Sequence, residues 1–184
     1  MAYISVPEGV PGIRSLAMFR PETGQHLYAL AQVLLRGPSP LTEAEREIIA
    51  TFVSNRNQCR FCTNSHAAAA RELLGENAGI MDDVLADYTT AAISDKLKAL
   101  LNIAGKVQIL GKEVTQQDID AARAVGANDL DLHDTVLIAA TFSMYNRYVD
   151  GLGTLTPSNP SDYLEMGKRL AEKGYGAPKP EPVS

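Results

Sequence analysis

Two cysteines and a histidine lie close together in residues 57–66, NQCRFCTNSH. Cys59 and Cys62 are the only cysteines of the 184-residue chain, and His66 is one of its three histidines. Two cysteines at this spacing at the start of a helix can cycle between a dithiol and a disulfide with little backbone movement. The N–H groups and the dipole of the first helical turn also stabilise a thiolate there. A redox-active thiol pair is therefore the first hypothesis for this segment.

Glu47 and His66 are the side chains that can activate these thiols. His66 follows Cys62 by four residues, which places both side chains on one face of a helix and lets the imidazole take the thiol proton. A catalytic base needs a third group to orient it, and Glu47 is the candidate because it lies in the preceding helix beside the apolar Ile48 and Ile49. With this environment, we expect the pKa of Cys62 to lie below the ordinary value of about 8.5.

A zinc site is one alternative for the same residues. Cys59, Cys62 and His66 can supply three ligands, with Glu47 as a fourth. Structural zinc sites usually draw their ligands from two separated pairs, and the sequence has no second pair of cysteines or histidines to match. A third reading, two structural thiols in the core, is disfavoured by the polar residues around the pair. We therefore predict neither a metal nor an organic cofactor.

The other polar candidates carry weaker signals. His26 lies in the first helical pattern and is interpreted as an ordinary surface or interface residue. His133 lies near the start of the longest helical pattern and is interpreted as part of a polar first turn. The polar segment 145–147 interrupts the same apolar pattern and is interpreted as a subunit or domain interface.

The overall composition excludes several classes of function. The net charge is −5 and the pI about 5.2, so nucleic acid and anionic membranes are not expected partners. No apolar run is long enough to span a membrane, and the first residues lack the pattern of a signal peptide. We therefore expect a cytoplasmic protein, in which cysteines are kept reduced and are catalytic or metal-binding more often than structural.

Helical periodicity predicts an all-α fold of about seven or eight helices joined by short loops. Prolines and glycines in residues 1–21 predict an extended N-terminal arm. An all-α domain follows over 22–174, and residues 175–184 form a flexible tail. Capping residues favour helix starts at Thr42 with Glu45, at Ser94, and at Thr115 with Asp118. The predicted helices are 22–36, 42–55, 59–75, 82–87, 94–110, 115–126, 131–151 and 161–174.

The four candidate residues together resemble a known family. Glu47, Cys59, Cys62 and His66 make the pattern E-x11-C-x2-C-x3-H, which is similar to the signature of the carboxymuconolactone decarboxylase-like superfamily in its thiol-active branch, alkylhydroperoxidase D. The segment SPLTEAEREIIATFVSNRNQCRFCTNSHAAAA resembles the core of the subgroup of uncharacterized peroxidase-related enzymes, and FSMYNRYVDGLG resembles a later segment of that subgroup. The resemblance covers most of residues 13–155.

The resemblance implies a fold, an assembly and a reaction. The fold is an AhpD-like helical bundle, and the assembly is a homo-oligomer, as a dimer, trimer or hexamer. The resemblance also implies the role of each residue. Cys62 is the peroxidatic thiol, Cys59 is the resolving thiol, and His66 with Glu47 relays a proton through water. A hydroperoxide oxidises Cys62 to a sulfenic acid, Cys59 closes the disulfide, and an external dithiol reductant or carrier protein reduces it. The leading hypothesis is a thiol-dependent peroxidase, and the alternative is a non-enzymatic redox-sensing oligomer that uses the same disulfide as a switch.

One position departs from the pattern of alkylhydroperoxidase D. Phe61 stands where that protein has a second histidine, just before the second cysteine, so the relay to Cys59 has one member fewer. The set of Cys62, His66 and Glu47 is complete. The decarboxylase branch of the superfamily lacks the cysteine pair, and a decarboxylating role is therefore disfavoured.

Overall fold

Nine α-helices make up the part of the chain that the computed structural model describes, residues 2–176. Two short 3-10 turns, Gly75–Asn77 and Gly111–Glu113, follow the fourth and the sixth helix. No β-strand occurs in this part of the chain, so the predicted all-α class is confirmed. The helices are α1 Gly12–Phe19, α2 Pro21–Arg36, α3 Glu43–Arg56, α4 Arg60–Leu74, α5 Ile80–Asp87, α6 Asp95–Ile109, α7 Gln116–Ala124, α8 Asp129–Gly151 and α9 Ser161–Lys173.

Side-chain caps set the starts of several helices. Thr42 accepts a hydrogen bond from the N–H of Glu45 and the Glu45 carboxylate accepts one from the N–H of Thr42, which confirms the predicted capping box. The predicted caps at Ser94 and Thr115 are also present. Helix α8 begins two residues earlier than predicted because Asn128 caps it.

Helix α3 is the centre of the bundle. It packs against α4, α6 and α8, and every residue from 46 to 54 is buried. A helix that is buried all round has no polar face to turn toward water, so each charged residue in this stretch needs a partner from another helix. Glu47 lies in this stretch, and its burial determines the electrostatics of the site described below.

The N-terminal arm and the C-terminal tail differ from their predictions. Residues 12–19 form α1 instead of an extended segment, because the prolines flank this helix: Pro11 is its N-cap and Pro21 is the first residue of α2, where the missing N–H costs no hydrogen bond. Tyr175, assigned to the tail, is buried with 7% of its surface exposed. Gly176 is exposed, and the other residues of the predicted tail, 177–184, lie outside the described residues.

The nine described helices range in length from 8 to 23 residues. None of those described between residues 2 and 176 is both long and apolar enough to cross a membrane.

Helices α4 and α9 approach each other closely at Gly167, and we expect Gly167→Ala to lower the free energy of unfolding by about 1–3 kcal/mol. A Cβ there would lie 2.6 Å from the carbonyl carbon of Ala68, so the helices would have to separate. Urea denaturation measures the effect. Gly151→Ala is the matched control, since Gly151 is also helical and its added Cβ meets nothing within 4 Å. Equal stabilities of the two variants would contradict the expected clash.

Candidate active site

A tight turn between α3 and α4 positions the two cysteines. Gln58 adopts the left-handed conformation, with φ of 60°, at a cost of about 1 kcal/mol for a residue with a Cβ. The N–H of Cys59 donates to the carbonyl of Ser54 at 3.0 Å, and the N–H of Thr63 donates to the carbonyl of Cys59 at 2.9 Å. Cys59 is therefore the N-cap residue of α4, and Cys62 lies in its first turn.

Both cysteines are free and buried. Cys59 is 0% exposed and Cys62 is 3% exposed, in a small cluster with Phe61, Val149 and Tyr163. A hydrogen bond shared with Cys59, together with burial, raises the pKa of Cys62 well above its ordinary value, and a hydrogen bond from Asn146 offsets only part of this. The expected lowering of this pKa is therefore wrong, because the hydrogen bond with Cys59 and the withdrawal of the thiol from water outweigh the effect of the helix start.

The raised pKa of Cys62 leads to a testable titration. We expect the ultraviolet thiolate signal of Cys62, obtained as the difference between wild type and Cys62→Ser, to develop above the pH range of a free thiol, about 8.5. In Cys59→Ala, which lacks the shared hydrogen bond, the signal should develop at lower pH than in wild type. A wild-type signal that is complete at neutral pH would contradict this account.

Glu47 and His66 are in direct contact. The Nδ1–H of His66 donates to Oε2 of Glu47 at 2.8 Å, across the interface between α4 and α3. The imidazole is also packed edge-on against the ring of Phe142, with the ring centroids 4.6 Å apart. The orientation that sequence reasoning assigned to Glu47 is thus present in the structure, and the ring plane of His66 is held by a carboxylate and an aromatic side chain.

Two residues that sequence reasoning missed complete the surroundings of Glu47. Nη2 of Arg36 and the hydroxyl of Tyr175 both donate to Oε1 of Glu47, each at 2.6 Å. Burial raises the pKa of Glu47, but the His66 imidazole, Arg36 and Tyr175 together outweigh it and leave this pKa below the ordinary value. Glu47 is therefore a fully buried carboxylate that stays charged. Arg36 gave no signal in the sequence, and the only signal of Tyr175 was an aromatic residue in a stretch rich in glycine and proline.

His66 and the cysteines are neighbours on α4 without a direct bond. Within residues 2–176, no hydrogen bond joins His66 to Cys59 or Cys62. Nδ1 of His66 is occupied by Glu47, so Nε2 is the nitrogen left to exchange a proton with a substrate or a water molecule. Any transfer between the thiol and the imidazole in this state requires a bridging molecule.

A buried polar network lies beside Cys62. The amide of Asn146 donates to Oγ of Ser54 at 3.0 Å and accepts from the amide of Asn57 at 2.9 Å, and Gln108 donates to Asn57 at 2.8 Å. Asn146 is 1% exposed, so the interface interpretation of this residue is wrong: it is a satisfied internal residue beside a thiol. Asn57, the first residue of the motif segment, belongs to the same network.

Phe61, the position at which the sequence departs from the pattern that it resembles, is a packing residue. It is 5% exposed, and its ring lies 6.4 Å from that of Tyr163 on α9. Phe61 also contacts Gly12 at the start of α1, where any Cβ would overlap the ring, so glycine is required both by this contact and by a φ of 53°. The Phe61 side chain therefore packs α4 against α1 and α9, and it has no group that can transfer a proton.

A cavity of about 520 Å³ opens beside His66. His66 and Tyr175 form part of its wall, and neither cysteine is among the described residues that line it. Basic and acidic side chains of α1 and α9 also line it. The apolar part of the wall includes Ile13, Leu27, Phe61, Phe142 and Met166.

The remaining sequence candidates lie outside this cluster. His26 is exposed. His133 is 64% exposed in its side chain and contacts Asp134 with Nδ1 at 3.0 Å. In the described part of the chain, no three side chains of histidine, cysteine, aspartate or glutamate converge as a metal site requires, and the four motif residues form no such set.

Comparisons with known proteins give one matching family model and similar solved structures. The family model of the carboxymuconolactone decarboxylase family matches residues 21–106. One similar solved structure is the alkylhydroperoxidase AhpD core, an uncharacterized peroxidase-related protein from Ralstonia eutropha JMP134, with a TM-score of 0.79, 27% identity, and coverage of 91% of this chain and 96% of that one. A second is an uncharacterized peroxidase-related protein from Silicibacter sp. TM1040, with a TM-score of 0.75, 28% identity, and coverage of 84% and 79%. No curated protein matches the chain.

Proposed function

Because the chain belongs to the carboxymuconolactone decarboxylase and AhpD-like superfamily, we propose that it is a thiol-dependent peroxidase that reduces hydroperoxides through a dithiol–disulfide cycle. The observation that carries this proposal is the buried pair of Cys59 and Cys62 on the same helix as an imidazole held by a charged carboxylate. The two similar structures, both peroxidase-related, support the same class of activity.

The proposed reaction begins at Cys62. Its thiolate attacks one oxygen of the O–O bond, an S–O bond forms, and the alcohol leaves with a proton. The thiolate of Cys59 then attacks the sulfenic acid, an S–S bond forms, and water leaves. The dithiol has given two electrons to the peroxide, and an external dithiol returns them by thiol–disulfide exchange. Cytoplasmic thiol carriers are suitable donors, and we propose that the enzyme works there as a homo-oligomer.

The role of His66 follows from the raised pKa of Cys62. A thiol that is neutral at rest has to lose its proton as it attacks, so a base is needed in the same step. Nε2 of His66 is the available position, and a water molecule or the peroxide itself can bridge it to the sulfur. Glu47 stabilises the imidazolium that forms, because it is a buried carboxylate hydrogen-bonded to Nδ1.

The decisive experiment counts thiols and turnovers. One equivalent of an organic hydroperoxide should remove two free thiols from each reduced chain and lower its mass by the two hydrogens of a disulfide. Addition of dithiothreitol with excess peroxide should then give repeated turnover. In Cys59→Ser, oxidation should stop at a sulfenic acid on Cys62. Retention of both thiols in wild type after exposure to peroxide would refute the proposal.

A redox-sensing oligomer is the second candidate, and the burial of the thiols favours it. The cavity reaches His66 but not the sulfurs, and a buried thiol with a raised pKa is expected to oxidise slowly. Such a sensor would be oxidised once per chain, would not reduce peroxide repeatedly when dithiothreitol is present, and would change its oligomeric size. Size-exclusion chromatography of the reduced and oxidised forms, beside the turnover assay, separates the two functions.

A further inference from the structure

A buried phenol, which sequence reasoning placed in the tail, contacts both halves of the proton relay. The hydroxyl of Tyr175 lies 2.6 Å from Oε1 of Glu47 and 3.1 Å from Nδ1 of His66. The rings of Tyr175 and His66 are nearly parallel, at 10°, with centroids 5.9 Å apart. We propose that Tyr175 is a positioning residue that fixes the tautomer and the ring orientation of His66, so that Nε2 is the nitrogen that accepts the proton.

The number of available protons supports this assignment. The carboxylate of Glu47 has none to donate, so the phenol proton lies on its short bond to Oε1. The phenol oxygen then turns a lone pair toward Nδ1, and Oε2 turns another toward the same atom. A ring nitrogen between two acceptors has to carry the hydrogen. The neutral imidazole is therefore protonated on Nδ1, and Nε2 has the free lone pair.

The ionisation of the phenol supports the same arrangement. Burial and the neighbouring charge of Glu47 raise the pKa of Tyr175 well above its ordinary value, so the hydroxyl keeps its proton throughout the physiological range. It is therefore a permanent donor to the carboxylate. A group that never ionises suits the positioning of a base, and Tyr175 is not proposed to transfer protons to the substrate.

Helix α2 holds Tyr175 in place although the residue lies beyond the end of α9. The N–H of Tyr175 donates to Oε1 of Gln32 at 2.6 Å, and the guanidinium carbon of Arg36 lies 5.2 Å from the centre of its ring. Gly174 turns the chain with a φ of 64°, which only glycine adopts readily. The phenol is therefore anchored from both its backbone and its ring, as an orienting residue needs to be.

The test is the ¹⁵N NMR spectrum of His66 in the reduced, full-length chain, which does not depend on catalysis. In wild type, we expect the neutral form of the imidazole to be protonated on Nδ1 and unprotonated on Nε2, and the spectrum is recorded at a pH where this neutral form is populated. Tyr175→Phe keeps the ring and removes only the hydroxyl, so the proton on Nδ1 should exchange with water about tenfold faster, and the two nitrogen shifts should move toward an average of both tautomers. Tyr163→Phe is the matched control, because its buried phenol bonds to the carbonyl of Pro157 instead and the variant should give the wild-type spectrum.

A second variant and a rate measurement complete the test. Gln32→Ala loosens the anchor but retains the phenol, and its spectrum should change in the same direction by a smaller amount. It remains informative if Tyr175→Phe fails to fold. A wild-type spectrum in both variants, or a neutral His66 in wild type with its hydrogen on Nε2, would overturn the assignment. The role in the reaction rests on the proposed function: altered spectra with an unaltered rate of peroxide reduction would overturn that role, and a wild-type chain with no peroxide reduction would refute the proposed function alone.

Discussion

Cys62→Ser is expected to abolish peroxide reduction, with a rate at least about 10³-fold below that of wild type. An oxygen in place of the sulfur cannot be oxidised to a sulfenic acid and forms no disulfide with Cys59, so both chemical steps are lost. The assay follows peroxide consumption in the presence of dithiothreitol. Serine is close to cysteine in size, and Asn146 lies beside this position as a hydrogen-bond partner, so the fold should be retained.

The matched comparison for this result is Cys59→Ser. That variant keeps the attacking thiol and should show one rapid oxidation per chain, whereas Cys62→Ser should show none. Circular dichroism and urea denaturation of both variants separate a chemical loss from a folding defect. Peroxide reduction by Cys62→Ser at the wild-type rate would show that the roles of the two cysteines have been assigned wrongly, or that the activity resides elsewhere.

Glu47→Gln is expected to lower the free energy of unfolding at neutral pH by about 3–5 kcal/mol. Glu47 is fully buried, and it neutralises Arg36, whose side chain is only 6% exposed. The neutral amide leaves this guanidinium in the interior without its buried counter-charge, and it removes an acceptor from the set that binds His66 and Tyr175. Urea denaturation of wild type and variant measures the difference.

The pH dependence of that difference identifies its cause. The pKa of Glu47 is lowered in the folded chain, so its charge stabilises the fold above the unfolded-state value of about 4.3, and that stabilisation is lost as the pH falls through the folded value. The gap between wild type and Glu47→Gln should therefore be full at neutral pH and should close in acid. A gap that is independent of pH would indicate a packing defect instead.

Glu43→Gln is the control for this prediction, because Glu43 contacts the same arginine from the surface. Its carboxylate lies 3.4 Å from Nε of Arg36, and its side chain is 40% exposed. Exposed ion pairs contribute about 0–1 kcal/mol, so the loss should be small. If the two variants are equally destabilised, burial of the Glu47–Arg36 pair is not what makes it important.

The sequence by itself determined the features that depend on neighbouring residues. The helix starts at Thr42, Ser94 and Thr115 follow from caps and their targets three residues apart. The placement of the cysteine pair at the start of α4 also follows from residues that are close in sequence. The position of His66 one turn after Cys62 follows from the same helical spacing. These interactions form within one or two helical turns, whatever packs around them, and they could therefore be predicted together with the all-α class.

The tertiary structure decided which residues surround this motif and how far water is excluded from it. Arg36 and Tyr175 reach Glu47 from sequence separations of 11 and 128 residues, and Asn146 reaches Asn57 and Cys62 from the C-terminal part of α8. No local pattern marks such partners, because they are selected by the packing of α2, α8 and the end of α9. The hydrogen bond with Cys59 and the burial of Cys62 by the same packing raise the pKa of Cys62, opposite to the direction expected from the helix start alone. Spacing along a helix specifies which groups can meet, whereas their protonation depends on the burial and the charges that only the folded chain provides.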